Sequence, residues 1–284
     1  MTARNGLGAD GGRATKVTVA GTAKTVSVTG DDVRSKLGLK SDWFSVTAVS
    51  QATPPPVQPV VYEASANQVG ATATAVPFGS AGDVPLSCDW DGDGVDTLGV
   101  FRTGTFYLTN TAGSGAAVSS FGFGQAGDQP VCGDWDGNGT DTVGVYRSGT
   151  VFLRNSNSTG IADGAFAFGA RGDRLVAGDW NGDGYDTVGV WRNGTYYLSN
   201  SNIVPATAAV VPFGAATDAP VLGDWDGNGT DTLGVLRDGV FYLRNDVAPG
   251  PAEQTVLFGD RGDKPVRGHW AAGGVDVVGV ARSY

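Results

Sequence analysis

Asp89, Asp91 and Asp93 stand at alternate positions in the run Asp89-Trp90-Asp91-Gly92-Asp93-Gly94-Val95-Asp96. That spacing lets a tightly curled backbone turn three short carboxylates inward. Glycine permits the sharp bend, and a following carbonyl adds a further oxygen. An all-oxygen donor set without sulfur or imidazole suits a hard cation, calcium in particular. In the first run the candidate ligands are Asp89, Asp91, Asp93, the carbonyl of Val95, and Asp96. The pattern returns at Asp134, Asp136, Asn138, Thr140 (carbonyl) and Asp141. It returns again at Asp179, Asn181, Asp183, Tyr185 (carbonyl) and Asp186, and at Asp224, Asp226, Asn228, Thr230 (carbonyl) and Asp231. A fifth copy, running from His269 to Asp276, lacks the first three side-chain ligands and is expected to bind no metal. The competing reading is that Asp, Asn and Gly simply favour turns. Four repeats of the full spacing argue for the cation.

The four intact runs hold nearly half of the 29 acidic side chains in a chain of formal charge −10. The acidity is therefore a cation-binding feature more than a solubility feature. It also excludes phosphate-backbone binding, which needs clustered Lys and Arg. With hydrophobic residues at 40% and 46 glycines in 284 residues, the composition suits an all-β fold with many tight turns rather than disorder. No apolar run is long enough for a membrane-spanning helix. The first residues have no apolar core of a signal peptide, so any export information belongs to a segment upstream; otherwise the chain is cytosolic.

The elements that must carry these runs recur with a period of 45 residues and no insertion. Phe78, Phe123, Phe168, Phe213 and Phe258 each precede a glycine. Asp83, Asp128, Asp173, Asp218 and Asp263 follow, then Trp90, Trp135, Trp180, Trp225 and Trp270, and then Arg102, Arg147, Arg192, Arg237 and Arg282. Each unit predicts four short strands. In the third unit they cover 175–178, 186–192, 195–199 and 210–213, with a hairpin at Asn193-Gly194. Such a unit is a β-propeller blade, and five units predict a five-bladed ring of four-stranded blades. An open solenoid is the alternative. The first unit begins at the third strand (Val60) and the last stops after the second (Arg282). The N- and C-terminal strands are thus expected to pair and close the ring. Residues 1–50 form a separate short α+β segment. Val17, Val19, Val26 and Val28 mark a strand pair, and Thr29 to Asp32 cap a helix through Leu37. Residues 51–59, QATPPPVQP, read as a proline-rich linker, and the propeller spans 60–284.

DWDGDGVDTLGV and its copies resemble the FG-GAP and VCBS repeat families, which implies propeller blades carrying calcium loops. Those families place the last Asp at loop position nine. Here it is at eight, so that Asp either ligates the ion or caps the loop. Residues 16–47, including VSVTGDDVRSKLGLKSDWFSV, resemble the end of the stage II sporulation protein D (amidase-enhancer) domain. That resemblance implies the C-terminal, accessory part of a secreted, extracellular bacterial cell-wall protein; separately, the chain is expected to be a monomer. The expected function is calcium-stabilised binding of a cell-wall or surface glycan. A protein-binding or spacer scaffold is the alternative, and a peptidoglycan hydrolase is the least favoured.

Other residues carry two readings each. The repeat tryptophans either present an aromatic ring to sugar or fill contacts between blades. The variable series Phe101, Tyr146, Trp191, Leu236 and Ala281 either sets ligand specificity or packs. The arginines either recognise anions or pair with the repeat aspartates. Arg171-Gly172-Asp173 and Arg261-Gly262-Asp263 spell an integrin-ligand tripeptide, but their Gly and Asp belong to the repeat. His269 is the only histidine and has no assignable nucleophile partner, so no catalysis is expected. Cys88 and Cys132 sit one period apart, either as a disulfide or as two buried thiols.

Overall fold

The computed structural model describes residues 2–4, 14–20, 25–37, 59–111, 113, 115–270 and 274–284. The chain divides into two compact units, Met1–Pro55 and Pro56–Tyr284. The expected linker lies almost wholly outside the described residues. In the first unit, β1 (Thr2–Arg4), β2 (Ala14–Ala20) and β3 (Thr25–Val28) form an antiparallel sheet in that order, followed by α1 (Gly30–Leu37). Thr29 and Asp32 cap α1 reciprocally. The Asp32 N–H donates to Thr29 Oγ1 at 3.1 Å, and the Thr29 hydroxyl donates to Asp32 Oδ2 at 2.6 Å.

The second unit is a five-bladed β-propeller. One blade is built from β6 (Val84–Cys88), β7 (Thr97–Arg102), β8 (Thr105–Leu108) and β9 (Ser119–Gly122). The next uses β10 (Gln129–Gly133), β11 (Thr142–Arg147), β12 (Thr150–Leu153) and β13 (Gly164–Ala167). Then come β14 (Arg174–Gly178), β15 (Thr187–Arg192), β16 (Thr195–Ser199) and β17 (Thr207–Pro212), and after them β18 (Ala219–Gly223), β19 (Thr232–Arg237), β20 (Val240–Leu243) and β21 (Gln254–Leu257). The fifth blade is composite: β22 (Lys264–Gly268) and β23 (Val277–Arg282) from the C-terminal part are completed by β4 (Val60–Ala64) and β5 (Ala73–Pro77) from the N-terminal part. Here β23 pairs antiparallel with β4, with Val280 opposite Tyr62.

The innermost strands neighbour one another in a circle: β6, β10, β14, β18 and β22, with β22 returning to β6. That circle excludes the open solenoid. Strand alternation explains the rest. The second strands (Thr97–Arg102 and equivalents) are buried at nearly every position because each is flanked by strands on both sides and by neighbouring blades on both faces. The second-to-third hairpins turn in the left-handed region, as at Asn193 and Gly194 with φ of 50° and 83°. Since strands alternate in direction, the acidic loops between first and second strands share one face with the longer loops between third and fourth. The hairpins and blade-to-blade connections lie on the other face.

The core is a set of layers between blades. Trp90, Phe101, Phe106 and Phe121 pack with Val143 and Val145 of the next blade, and Val61, Val76 and Phe78 pack with Leu98 and Val100. Trp90, Trp135, Trp180 and Trp225 are each at most 8% exposed, which removes them as a sugar-stacking ring. Phe101, Tyr146, Trp191, Leu236 and Ala281 are likewise buried, so that series packs rather than selects a ligand. Cys88 and Cys132, on the inner strands of adjacent blades, form a disulfide with Cα atoms 6.5 Å apart. Among the described residues no helix is long and apolar enough to cross a membrane.

Candidate metal loops and the blade junctions

Each acidic loop is organised by its first aspartate. Asp89 Oδ1 accepts from the Gly92 and Asp93 N–H groups at 2.8 and 3.2 Å, and Oδ2 accepts from Gly94 N–H at 2.8 Å. Gly92 and Gly94 both take left-handed φ, 77° and 80°, a conformation a side chain would resist. Asp93 Oδ1 accepts from Val95 N–H at 2.9 Å, and Asn110 Nδ2 donates to Asp91 Oδ2 at 2.9 Å. Asp89, Asp91 and Asp93 each bring one carboxylate oxygen within 4.8 Å of the others, at an exposed loop. Among the described residues none of the three has an ion-pair partner, and while Asp89 is occupied by loop N–H groups, Asp91 and Asp93 each keep a carboxylate oxygen that accepts no hydrogen bond and could face a hard cation.

The other loops repeat the geometry. Asp134 caps Gly137 and Gly139, Asp179 caps Gly182 and Gly184, and Asp224 caps Gly227 and Gly229, all at 2.7–2.8 Å. Asn138, Asp183 and Asn228 accept from the N–H groups of Thr140, Tyr185 and Thr230. Asp136, Asn181 and Asp226 hold the place of Asp91, and Asn181 Nδ2 donates to Asp183 Oδ2 at 2.9 Å. In the degenerate fifth loop, His269 Nε2 accepts from Gly274 N–H at 3.2 Å. An imidazole thus keeps the capping bond of the missing aspartate while supplying no anionic oxygen. Ala271 to Gly273 lie outside the described residues.

The last aspartate of each run turns away from its own loop and bridges to the preceding blade. Asp141 Oδ2 accepts from Asp89 N–H at 3.0 Å, while the Asp141 N–H donates to the Asp89 carbonyl at 2.7 Å. Asp186 does the same with Asp134, Asp231 with Asp179, and Asp276 with Asp224. Asp96 closes the circle on His269. The cap that this residue forms is thus on the neighbouring blade's loop and not on its own. Asn67, Asn157 and Asn202 add to the junction by donating Nδ2 to the carbonyls of Asp276, Asp141 and Asp186. Space is tight there. A Cβ on Gly133 would lie 2.5 Å from Asp186 Oδ2, and Gly178 meets Asp231 the same way. No single-unit pattern shows the aspartate bridges, since four of them join residues 52 apart, more than one period, and the fifth joins Asp96 to His269 across the closure.

Five junction carboxylates around one axis need a counter-charge, and Arg267 provides it. Its Nη1 lies 3.4 Å from Asp96 Oδ2 and 3.3 Å from Asp276 Oδ2. Its equivalents in the other blades are Ser87, Cys132, Ala177 and Leu222. Burial pushes the Asp96 and Asp186 carboxyls upward. It pushes Asp141 to about 7 and Asp231 to about 6, and repulsion from neighbouring aspartates works with it while Arg267 opposes it.

On the opposite face each blade carries one bidentate pair. Arg102, Arg147, Arg192 and Arg237 grip Asp83, Asp128, Asp173 and Asp218 at 2.6–2.8 Å, and Arg282 grips Asp263. Each guanidinium also lies over a ring of Tyr107, Phe152, Tyr197, Tyr242 or Tyr62, 4.9–5.2 Å from its centre. Burial works against ionisation of Asp173, Asp218 and Asp263. The bonds from arginine and from the turn N–H outweigh it and hold these carboxyls below their usual range. The arginines are therefore spent on structure. Asp173 of Arg171-Gly172-Asp173 is 3% exposed and out of reach of a receptor.

No protein-family model and no curated protein matches the chain. Among solved structures it is similar to BBS1N in complex with ARL6DN, from crystals soaked with mercury, at 14% identity and a TM-score of 0.40, over 94% of this chain and 90% of that one. The same complex from crystals soaked with lead gives 12% identity and a TM-score of 0.39, over 72% of this chain and 63% of that one.

Proposed function

We propose that this chain is a calcium-stabilised binding module that holds a cell-wall or surface glycan as an accessory part of a secreted bacterial protein. The observation that carries the metal part is the convergence of Asp89, Asp91 and Asp93 on an exposed loop whose backbone is already curled and capped. A cation there would neutralise three carboxylates held together against their mutual repulsion and tie the loop to the blade junction through Asp89. Loops two to four offer two carboxylates and one Asn amide oxygen in the same places, so weaker sites are expected there. The structural cation needs no catalytic partner, and the propeller face on which the loops sit presents the exposed side chains of the longer connections, among them Ile161, Ile203 and Val204.

Calorimetric titration of the EDTA-treated chain with calcium, read alongside its melting temperature, tests the metal. Saturable binding with a rise in melting temperature is expected. No heat of binding and unchanged melting in millimolar calcium would remove it. Retention on insoluble peptidoglycan tests the glycan, with the spacer scaffold favoured if nothing is retained.

A further inference from the structure

Between the second and third blades, on the face that carries the acidic loops, lies a cleft of about 520 Å³. That is within the range of small-ligand sites. Tyr185, 47% exposed, forms one wall, with its ring against the backbone of Gly137: a Cβ there would fall 2.6 Å from Tyr185 Cζ. Phe166 and Ile203 line it as apolar groups, Ile203 being 91% exposed. Asn155 and Asp163 supply polar ones, and Trp135 also lines it, its indole N–H without an acceptor. Among the described residues nothing bonds the side-chain amide of Asn155. The rim is set in advance, because Arg154 holds the Ser158 and Ile161 carbonyls at 2.8 and 2.7 Å and Asp163 Oδ2 accepts from Asn155 N–H at 2.8 Å.

These groups are departures from the repeat. Where Tyr185 stands, the other units have Val95, Thr140, Thr230 and Val275. Asp163 stands where two units have Val118 and Ala208, though Glu253 keeps the acid and the same bond to an Asn N–H, and Ile203 replaces Ser158 and Ala248. Blade packing does not explain Ile203, which is 91% exposed; Tyr185 contacts Gly137 of the neighbouring blade, as Thr140, Thr230 and Val275 contact Gly92, Gly182 and Gly227, but only Tyr185 adds a half-exposed ring there.

We infer that this cleft binds an uncharged N-acetylated hexosamine unit of an oligosaccharide, an assignment that rests on the glycan-binding reading above. A tyrosine face suits the C–H face of a pyranose ring. The Asn155 amide offers a donor and an acceptor to an acetamido group, while Ile203 and Phe166 take its methyl. Asp136 accepts from hydroxyls and repels anionic sugars, while Asp163, which already pairs with Arg154 at 3.6 Å and accepts from Asn155 N–H, has its other oxygen to offer a hydroxyl.

The probe is the tetramer of N-acetylglucosamine, titrated calorimetrically in calcium buffer into the full chain, with a glucuronic-acid tetramer as the anionic comparison. Tyr185→Ala and Ile203→Asp, both at exposed positions, are each expected to weaken the neutral tetramer at least tenfold with melting temperatures held, and the anionic tetramer gives no heat. Equal binding by parent and both variants overturns the cleft and leaves the module reading standing. Retention on insoluble peptidoglycan without any tetramer binding also overturns it. Loss of both retention and tetramer binding removes the two readings together.

Discussion

Asp89 and Asp93 lie in one loop yet support it differently. Asp89 satisfies several backbone N–H groups of its own loop and, through its main chain, the junction to Asp141. Asp89→Ala frees those donors whether metal is present or not, so it is expected to cost about 1–2 kcal/mol in both EDTA and calcium. Asp93→Asn keeps an oxygen for the Val95 N–H, so it should melt with the parent in EDTA and lose only the calcium increment. Paired thermal melts decide it, and equal losses for both variants in EDTA would show that turn chemistry alone explains the run. Glu63 is a second departure, readable by adding the period: Leu108, Leu153, Leu198 and Leu243 fill its place in the other blades. Burial pushes its carboxyl up to about 7 from 4.5. The folded chain therefore keeps the proton after the unfolded chain has lost it. The Glu63 contribution to stability is full below about pH 4.5, falls as pH rises to about 7, and is flat beyond. Glu63→Leu is expected to remove that fall and to stabilise at pH 8 by on the order of 1 kcal/mol, allowing for partial solvent screening. Denaturant titrations at pH 5 and 8 measure it.

The strands were legible because hydrophobic alternation and turn residues are local: 195–199 is found where expected, and 175–178 and 186–192 shift by one residue at their starts. The fourth strand begins at Thr207, earlier than 210, because Ala209 and Thr207 still find partners in Leu198 and Ser199 across a register shift. What local pattern could not show is how one blade's first strand meets the next blade's second. The aspartate circle and Arg267 belong to that level. Arg267 looks in sequence like an ordinary polar residue beside a failed loop, and only ring closure brings it between Asp96 and Asp276. Removing it leaves buried carboxylates unpaired, so Arg267→Leu is expected to destabilise the propeller by about 3 kcal/mol. Adding Asp96→Asn should return part of that loss, as a denaturation double-mutant cycle would reveal. Additive losses would mean that Arg267 acts by packing alone.

At the scale of the whole propeller, the 45-residue period and the strand at which it starts were enough to foresee closure, because a hairpin broken between two ends of a chain can pair again only if those ends meet. Removing residues 60–78 takes away β4, β5 and the Val61, Val76 and Phe78 contacts to two blades. The remainder is expected to melt well below the parent as one transition, and an unchanged melting temperature by calorimetry would refute the closure. Val60 faces Arg282 across the ladder that joins β4 to β23. The points of entry to and exit from the circle are thus as close as the two sides of any of its hairpins, and the position of the cut is a matter of genetics rather than of architecture. A circular permutant that links Tyr284 to Val60 through a short turn and opens instead between Asp238 and Gly239 would carry the same contacts, the Tyr284 bond to the Phe78 carbonyl included, with its seam moved to a different blade.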